Sequence, residues 1–318
     1  MIETRPSWMP QRYYSWNEEL KAHFGEKVVK IALDAGFDCP NRDGTVAYGG
    51  CTFCSVRGSG DFAGDRKVNL AGQFEERKQV MTQKWPARAF MAYFQAYTNT
   101  HAPVDELREK FESVLELEGV VGLSIATRPD CLPPDVVDYL AELHERTYLW
   151  VELGLQTAHD ETGVLINRAH DYQCFEEGVA KLRDRGIRVC THIINGLPQE
   201  TPAMMVETAE LAAQLDIQGM KIHLLHLLRK TSMVRQYKEG LVDFLSQEEY
   251  VQIVCDQLER IPASISIHRL TGDGPQELLI GPQWSTDKWG VLNGIKKELK
   301  RRDSWQGKFA AVKQEERK

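Results

Sequence analysis

Residues 148–155 read Tyr148-Leu149-Trp150-Val151-Glu152-Leu153-Gly154-Leu155, an apolar run broken by a single carboxylate. A strand that is apolar at successive positions is covered on both faces, as parallel strands joined by helices are. Similar runs recur outward from it, at Val28 to Leu33, Phe90 to Ala96 and Val121 to Ala126 on one side, and at Arg188 to Ile194 and Met220 to Leu225 on the other. The segments between them carry apolar residues near helical spacing: Leu70 to Lys84, Val104 to Leu117, Pro134 to Arg146, Tyr172 to Arg185 and Pro202 to Leu215. Pro134 and Pro202 stand where a first helical turn tolerates proline. Six such strand–helix units in one curved sheet predict an α/β fold, a partial (β/α)6 barrel of the TIM type. Folds of this kind gather their chemistry at the C-terminal ends of the strands. Beyond the sixth strand, a helical stretch (Gln247 to Arg260), a β-like run (Ser264 to Leu270) and a turn at Gly272–Pro275 predict a C-terminal α/β extension that caps the same domain. The expected division is an aromatic, polar N-terminal segment over 1–24 (Tyr13, Tyr14, Trp16), the barrel over 25–230, and the extension with a basic tail over 231–318.

At 318 residues, 42% hydrophobic and 27% charged, the composition is that of an ordinary globular protein. The N-terminus carries Glu3 and Arg5 and no secretory apolar stretch, and no run is long enough to span a bilayer, so a cytoplasmic protein is expected. Seven cysteines, an odd number, argue against a disulfide framework and for free thiols or metal ligation. The net charge of −7 excludes wholesale non-specific nucleic-acid binding. Ten basic and four acidic residues nevertheless lie between Lys288 and Lys318, a local net of +6. The run Lys296-Lys297-Glu298-Leu299-Lys300-Arg301-Arg302 suits either a solvated helix face or a phosphate-contacting patch.

The chemistry concentrates in Phe37-Asp38-Cys39-Pro40-Asn41-Arg42-Asp43-Gly44-Thr45-Val46-Ala47-Tyr48-Gly49-Gly50-Cys51-Thr52-Phe53-Cys54, a glycine-studded loop after the first strand. Three thiolates, Cys39, Cys51 and Cys54, can hold a metal or cluster and leave one position open for a reacting ligand. No second Cys-x-x-Cys or His-x-x-x-His follows at zinc-finger distance, so a structural zinc would have to recruit His101, Cys131 or another distant ligand. An iron–sulfur cluster on three cysteines needs no such recruit. Cys131, Cys174, Cys190 and Cys255 lie in or beside apolar segments and read as small buried hydrophobes. Gly58-Ser59-Gly60 with Gly64 lacks the glycine–lysine–serine ending of a phosphate loop and reads as a flexible loop over the cysteines.

On these residues the chain resembles the radical SAM superfamily. Eleven residues separate Cys39 from Cys51 where the superfamily usually has three, a departure shared with the branch that contains the catalytic subunit of the eukaryotic Elongator complex. The resemblance implies that Phe53 packs near the adenine of S-adenosylmethionine and that Gln95, in Tyr93-Phe94-Gln95-Ala96, meets its methionine moiety. Thr127-Arg128-Pro129-Asp130 is similar to the turn after the same strand in the Elongator-like branch. Glu152 and Gln156, four apart and so on one face of an extended strand, are costly in an apolar strand without partners and are expected to bind ligand. Asn167-Arg168-Ala169-His170 matches the family's Arg-Gly-His-like segment, whose arginine can meet the cofactor carboxylate; Ala169 replaces the glycine. His192-Ile193-Ile194-Asn195-Gly196-Leu197-Pro198 matches its Gly-Leu-Pro turn, which implies that His192, Gly196 and Leu197 lie close to the adenine. Lys221, His223 and His226 mark the end of the sixth strand, the histidines either as satisfied core groups or facing substrate.

The resemblance covers residues 25 to 285. Gly-Phe-Asp-Cys-Pro-Asn-Arg-Asp-Gly-Thr at 36–45 and Phe-Gln-Ala-Tyr-Thr at 94–98 are similar to the bacterial YtqA/MnmL and YhcC group, and Gly58 to Gly64 leans to its YtqA side. It implies a [4Fe–4S] cluster on Cys39, Cys51 and Cys54, S-adenosylmethionine chelating the unique iron, a reducing electron donor, and a 5′-deoxyadenosyl radical that abstracts hydrogen. For the YtqA side it further implies a tRNA substrate whose wobble-uridine carboxymethylaminomethyl group becomes aminomethyl, ready for a separate tRNA methyltransferase. The basic C-terminus is then expected to help hold the anticodon arm. No acetyltransferase domain and no second cluster motif accompany the barrel. A radical SAM enzyme acting on a small molecule and a zinc-stabilised nucleic-acid-binding protein without catalysis stay open as alternatives.

Overall fold

The computed structural model describes residues 6–9 and 11–310. Helix α1 (Trp16–Phe24) leads into β1 (Val28–Leu33), α2 (Leu70–Lys84), β2 (Ala89–Phe94), α3 (Val104–Leu115), β3 (Val120–Thr127), α4 (Pro134–Arg146) and β4 (Tyr148–Gln156). Then follow α5 (Asp160–Leu165), α6 (Tyr172–Arg183), β5 (Arg188–Asn195), α7 (Pro202–Gln214), β6 (Gly219–Leu224), β7 (Leu227–Leu228), α8 (Met233–Lys238), α9 (Gln247–Arg260), β8 (Ser266–Arg269), β9 (Leu279–Gly281) and α10 (Lys288–Arg301).

The main sheet has the order β1-β2-β3-β4-β5-β6-β8 with every neighbouring pair parallel, a curled half-barrel. The run at Ser264 to Leu270, expected as part of a cap on the same domain, belongs to this sheet. It adds a seventh strand, because Ile265 and Ile267 join the helix-covered core while His268 turns inward against Trp150 at 4.6 Å. β7 and β9 form a small antiparallel pair beside it.

Alternation along β4 explains the shape. Leu149, Val151 and Leu153 face the outer core, where Phe74, Leu107, Phe111 and Phe175 of the helices bury them. Tyr148 and Trp150 face the barrel interior and pack with Val28, Ala89, Met91 and Cys190. The next inward residue on the same face is Glu152, so the interior is apolar where the strands start and polar where they end.

The N-terminal segment closes the apolar end. Ser15 caps α1 in a reciprocal box with Glu18 and pairs with Ile267 in an isolated parallel bridge. Trp16 stacks on His268 at 4.7 Å, and Leu20 joins the inner apolar cluster.

The basic run on α10 is partly spent inside the protein. Glu298 takes Arg301 at 2.7 Å and Arg302 at 2.7 Å, and Arg302 also meets Asp256 at 2.6 Å. Lys296, Lys297 and Lys300 stay exposed, while Lys313, Arg317 and Lys318 of the expected basic tail lie outside the described residues.

Trp150 is fully buried and fills the interior beneath the polar layer. Trp150→Ala is expected to lower the free energy of unfolding by about 3–5 kcal/mol in a denaturant titration, against under about 0.5 kcal/mol for the exposed Val164→Ala.

Candidate active site

At the C-terminal ends of the strands lies a cavity of about 270 Å³. Cys39, Cys51 and Cys54 line one wall of it. Their loop is held from both sides. Asn41 donates to Asn167 O at 2.6 Å and to Cys51 Sγ at 3.7 Å, Asn167 donates to Gly50 O at 2.9 Å, and Thr52 N donates to Ile166 O at 2.8 Å. Gly50, at φ +75°, lets Arg42 pass where a Cβ would stand 2.8 Å from its Nε. Arg42 then reaches Ser55 O at 2.6 Å and Cys54 O at 3.3 Å.

Burial, then the neighbouring Cys54, pushes the Cys51 thiol up to about 12, and burial raises that of Cys54 against the pull of Arg42. These sulfurs become thiolates when a positive centre binds them, and Asn41, Arg42 and Arg128 stand ready to stabilise that charge. Among the described residues no three His, Cys, Asp or Glu side chains converge on one metal ion. Three sulfurs spread along one wall fit a cluster, whose irons take one cysteine each. The two recruits named for a zinc site stand elsewhere. His101 pairs with Asp43 at 2.7 Å, and Cys131 is buried; neither lines the cavity.

The segment Gly58 to Gly64 is a stapled wall and not the flexible loop its glycines suggest. Ser55 Oγ donates to Asp61 at 2.9 Å, Gln95 Nε2 to Ser59 O at 2.8 Å and Tyr97 Oη to Val56 O at 2.6 Å. The glycines serve close approach, since a Cβ on Gly58 would stand 2.5 Å from the Tyr97 ring.

Phe53, Gln95, Thr127, Glu152, Gln156 and His192 all line the cavity, as do Arg128 and His170. Gln156 gets there by leaving the extended path: it has φ +63° at a register shift after Gly154, so its position is not the simple two-residue alternation expected. Ala169 sits at φ +61°, the left-handed conformation that glycine adopts freely.

Three expected site residues stand off the cavity. The Arg168 guanidinium is buried and bonded to Leu155 O at 2.8 Å, Thr157 O, His170 O at 2.7 Å and Asp160 at 2.8 Å, so it ties the loop after β4 and does not line the cavity. Arg128 lines the cavity in its place, oriented by Asp130 at 2.6 Å and by Arg168 O at 2.8 Å. Gly196 and Leu197 pack behind the wall, with Leu197 in an apolar cluster beside Ile166, Leu225 and Met233.

The inner end of the cavity is built around Glu152. Its side chain is buried and receives Lys30 at 2.7 Å, His192 Nε2 at 2.7 Å, Ser124 Oγ and Lys221 Nζ. Burial alone would raise the carboxyl pKa, but Lys221 and Lys30, then His192, hold it well below the usual carboxylate range. Burial draws Lys221 down to about 7 and His192 to about 4, so His192 is a neutral imidazole near pH 7. Lys30 and Lys221 both sit over the Tyr93 ring at 4.3 Å. Lys30, Ser124 and Arg269 were not expected here; the available sign was a lysine in mid-strand, on the inward parity of Val28. His223 and His226 line the cavity with their Nε2 atoms buried and without a partner among the described residues, so they are not satisfied core histidines.

Comparison with known proteins places this geometry. Residues 39–212 match the radical SAM superfamily model and residues 217–301 the radical SAM C-terminal domain. The chain is 66% identical to YtqA of Bacillus subtilis over 96% of its own length and 95% of that protein's, and 37% identical to YhcC of Escherichia coli K12 over 85% and 87%. It is 28% identical to Elongator complex protein 3 of Saccharomyces cerevisiae over 56% of this chain and 31% of that one. The solved archaeal Elp3 of Methanocaldococcus infernus superposes with a TM-score of 0.64 at 15% identity, over 88% of this chain and 64% of that one, a likeness of fold. With a matching barrel, three loop thiols at its catalytic end and relatives along nearly its whole length, the chain belongs to the radical SAM superfamily, whose cofactors are a [4Fe–4S] cluster and S-adenosylmethionine.

Proposed function

We propose that this radical SAM enzyme acts on tRNA and converts the carboxymethylaminomethyl side chain of a wobble uridine to aminomethyl. The observation that carries the reading is the eleven-residue interval from Cys39 to Cys51 with the Thr127–Asp130 turn, marks of the Elongator-like branch, in a chain alike with YtqA over nearly its whole length. A nucleoside must leave its stack to enter such a cavity. Tyr48, 78% exposed in the cysteine loop, and Phe62, 46% exposed on the cavity lining, offer faces on which flanking bases can stack. Exposed Lys296, Lys297 and Lys300 on α10 can meet phosphates of the anticodon arm.

Cys39, Cys51 and Cys54 would hold the cluster, and Gln95, Thr127, Arg128 and Gln156 present polar groups to the methionine end of S-adenosylmethionine. When bound, the pair supplies a 5′-deoxyadenosyl radical for hydrogen abstraction, with the electron drawn from a separate reductant. The chain's part is to orient the substrate and keep water out. Glu152, ionised and fixed on several sides, cannot drift as substrate enters, and neutral His192 holds one of its oxygens.

Nucleoside mass spectrometry of tRNA from cells with and without the protein is expected to show the carboxymethylaminomethyl uridine accumulating in its absence; unchanged tRNA would remove the reading. After anaerobic reconstitution with iron, sulfide and dithionite, the protein should form 5′-deoxyadenosine from S-adenosylmethionine, and Cys51→Ala should form none. The imidazoles add a pH dependence. Burial lowers His192, His226 and His170 to about 4, so the unfolded chain takes up their protons near pH 6.5 and the folded one only near 4. Their contribution is therefore complete above about pH 6.5 and is lost as the pH falls toward 4. The denaturation midpoint is expected to drop between about pH 7.5 and about pH 5, and less steeply in His226→Gln.

A further inference from the structure

One edge of the cavity carries more positive charge than its carboxylates balance. Lys30 and Lys221 share the single buried Glu152. Among the described residues Arg269, paired in register with Lys221, has only Asp273 at 3.9 Å, and Asp273 is already engaged by Lys288 at 2.8 Å. Beside these cations the buried Nε2 of His223 has no partner among the described residues, and its ring lies 5.3 Å from that of His192. Basic groups in excess of carboxylates at a part-buried edge, next to an unsatisfied imidazole nitrogen, favour the arrival of an anion, which also favours the charged form of Lys221. These groups stand on β6 and β8, at the opposite edge of the sheet from β1, whose following loop carries the cysteines.

We propose that Lys221, His223 and Arg269 form a carboxylate-binding subsite that holds the carboxymethyl end of the substrate side chain. Its chemistry follows from the cavity; the identity of the carboxylate rests on the tRNA reading above. The guanidinium fork of Arg269 matches two carboxylate oxygens, Lys221 adds a point charge, and His223 can offer an N–H. The aminomethyl side chain has no carboxylate and ends in an amine that is cationic at neutral pH. The same cations repel it, so the subsite distinguishes substrate from product and favours release.

The test uses the reconstituted holoenzyme saturated with S-adenosylmethionine, with isotope-labelled histidines, titrated with N-methylglycine, which carries the same carboxylate and secondary amine. N-methylglycine is expected to shift the His223 imidazole resonances, and Arg269→Gln to weaken that binding about tenfold. Arg269 is 34% exposed and makes no bond to Glu152, so its loss leaves the buried network whole; Lys221→Met is the second variant and is expected to weaken binding likewise. No shift at His223, an equal response to inorganic phosphate, displacement of S-adenosylmethionine by the probe, or full affinity in both variants would each overturn the subsite. Two tRNAs that differ only in the carboxymethyl group separate this proposal from the reading beneath it. A preference for the carboxymethylated tRNA that Arg269→Gln abolishes supports both. N-methylglycine binding without such a preference supports the subsite and removes wobble uridine as its substrate.

Discussion

A carboxylate in the middle of a barrel needs partners from several directions, and Glu152 of β4 finds them on β1, β3, β5 and β6. Left alone, a buried carboxylate would cost several kcal/mol. In a flat sheet Lys30 of β1 would begin about 14 Å from Glu152, three strand spacings away, beyond the combined reach of the two side chains. The observed 2.7 Å contact therefore requires curvature. Tyr93 carries the same requirement, since its ring receives both Lys30 and Lys221 although β1 and β6 are five strands apart in the sheet. The network fastens the curl, and the curl makes the cavity.

Polarity along the barrel axis does the rest. Below Glu152 the interior is filled by Trp150, Met91 and Tyr148 and closed by α1. Above it the inward residues shrink or turn polar: Ala126, Gly154, His223. Space opens where strand ends, the stapled loop of Gly58 to Gly64 and the cysteine loop meet. The rigidity of that loop matters for the thiols, because Ser59 Oγ lies 3.6 Å from Cys54 Sγ and a mobile segment could not keep it there.

The strands, the helices between them and the thiols were legible because each depends on local pattern: apolar runs, helical spacing, a cysteine interval. Long-range choices were not. Arg128 and Arg168 are both arginines in loops after strands, and only packing decides that Arg168 is enclosed by carbonyls of its own loop while Arg128 faces the cavity. Gly196 and Leu197 matched a family turn, yet the turn faces Leu225 and Met233. Lys30 was hidden because a lysine in a strand reads as an exception until its partner, 122 residues later, is known. β8 is four residues long and becomes a strand only because β6 offers it an edge.

The barrel is also incomplete, and that bears on what can enter it. β1 and β8 end the sheet without pairing, and the chain bridges them only near the strand starts, through Ser15 and α1. Among the described residues no ladder joins β1 to β8. A closed eight-stranded barrel would admit ligands through its mouth alone. Here the edge strand β8 carries Arg269, so the cations of β6 and β8 line the cavity at the side of the sheet that has no further strand beside it.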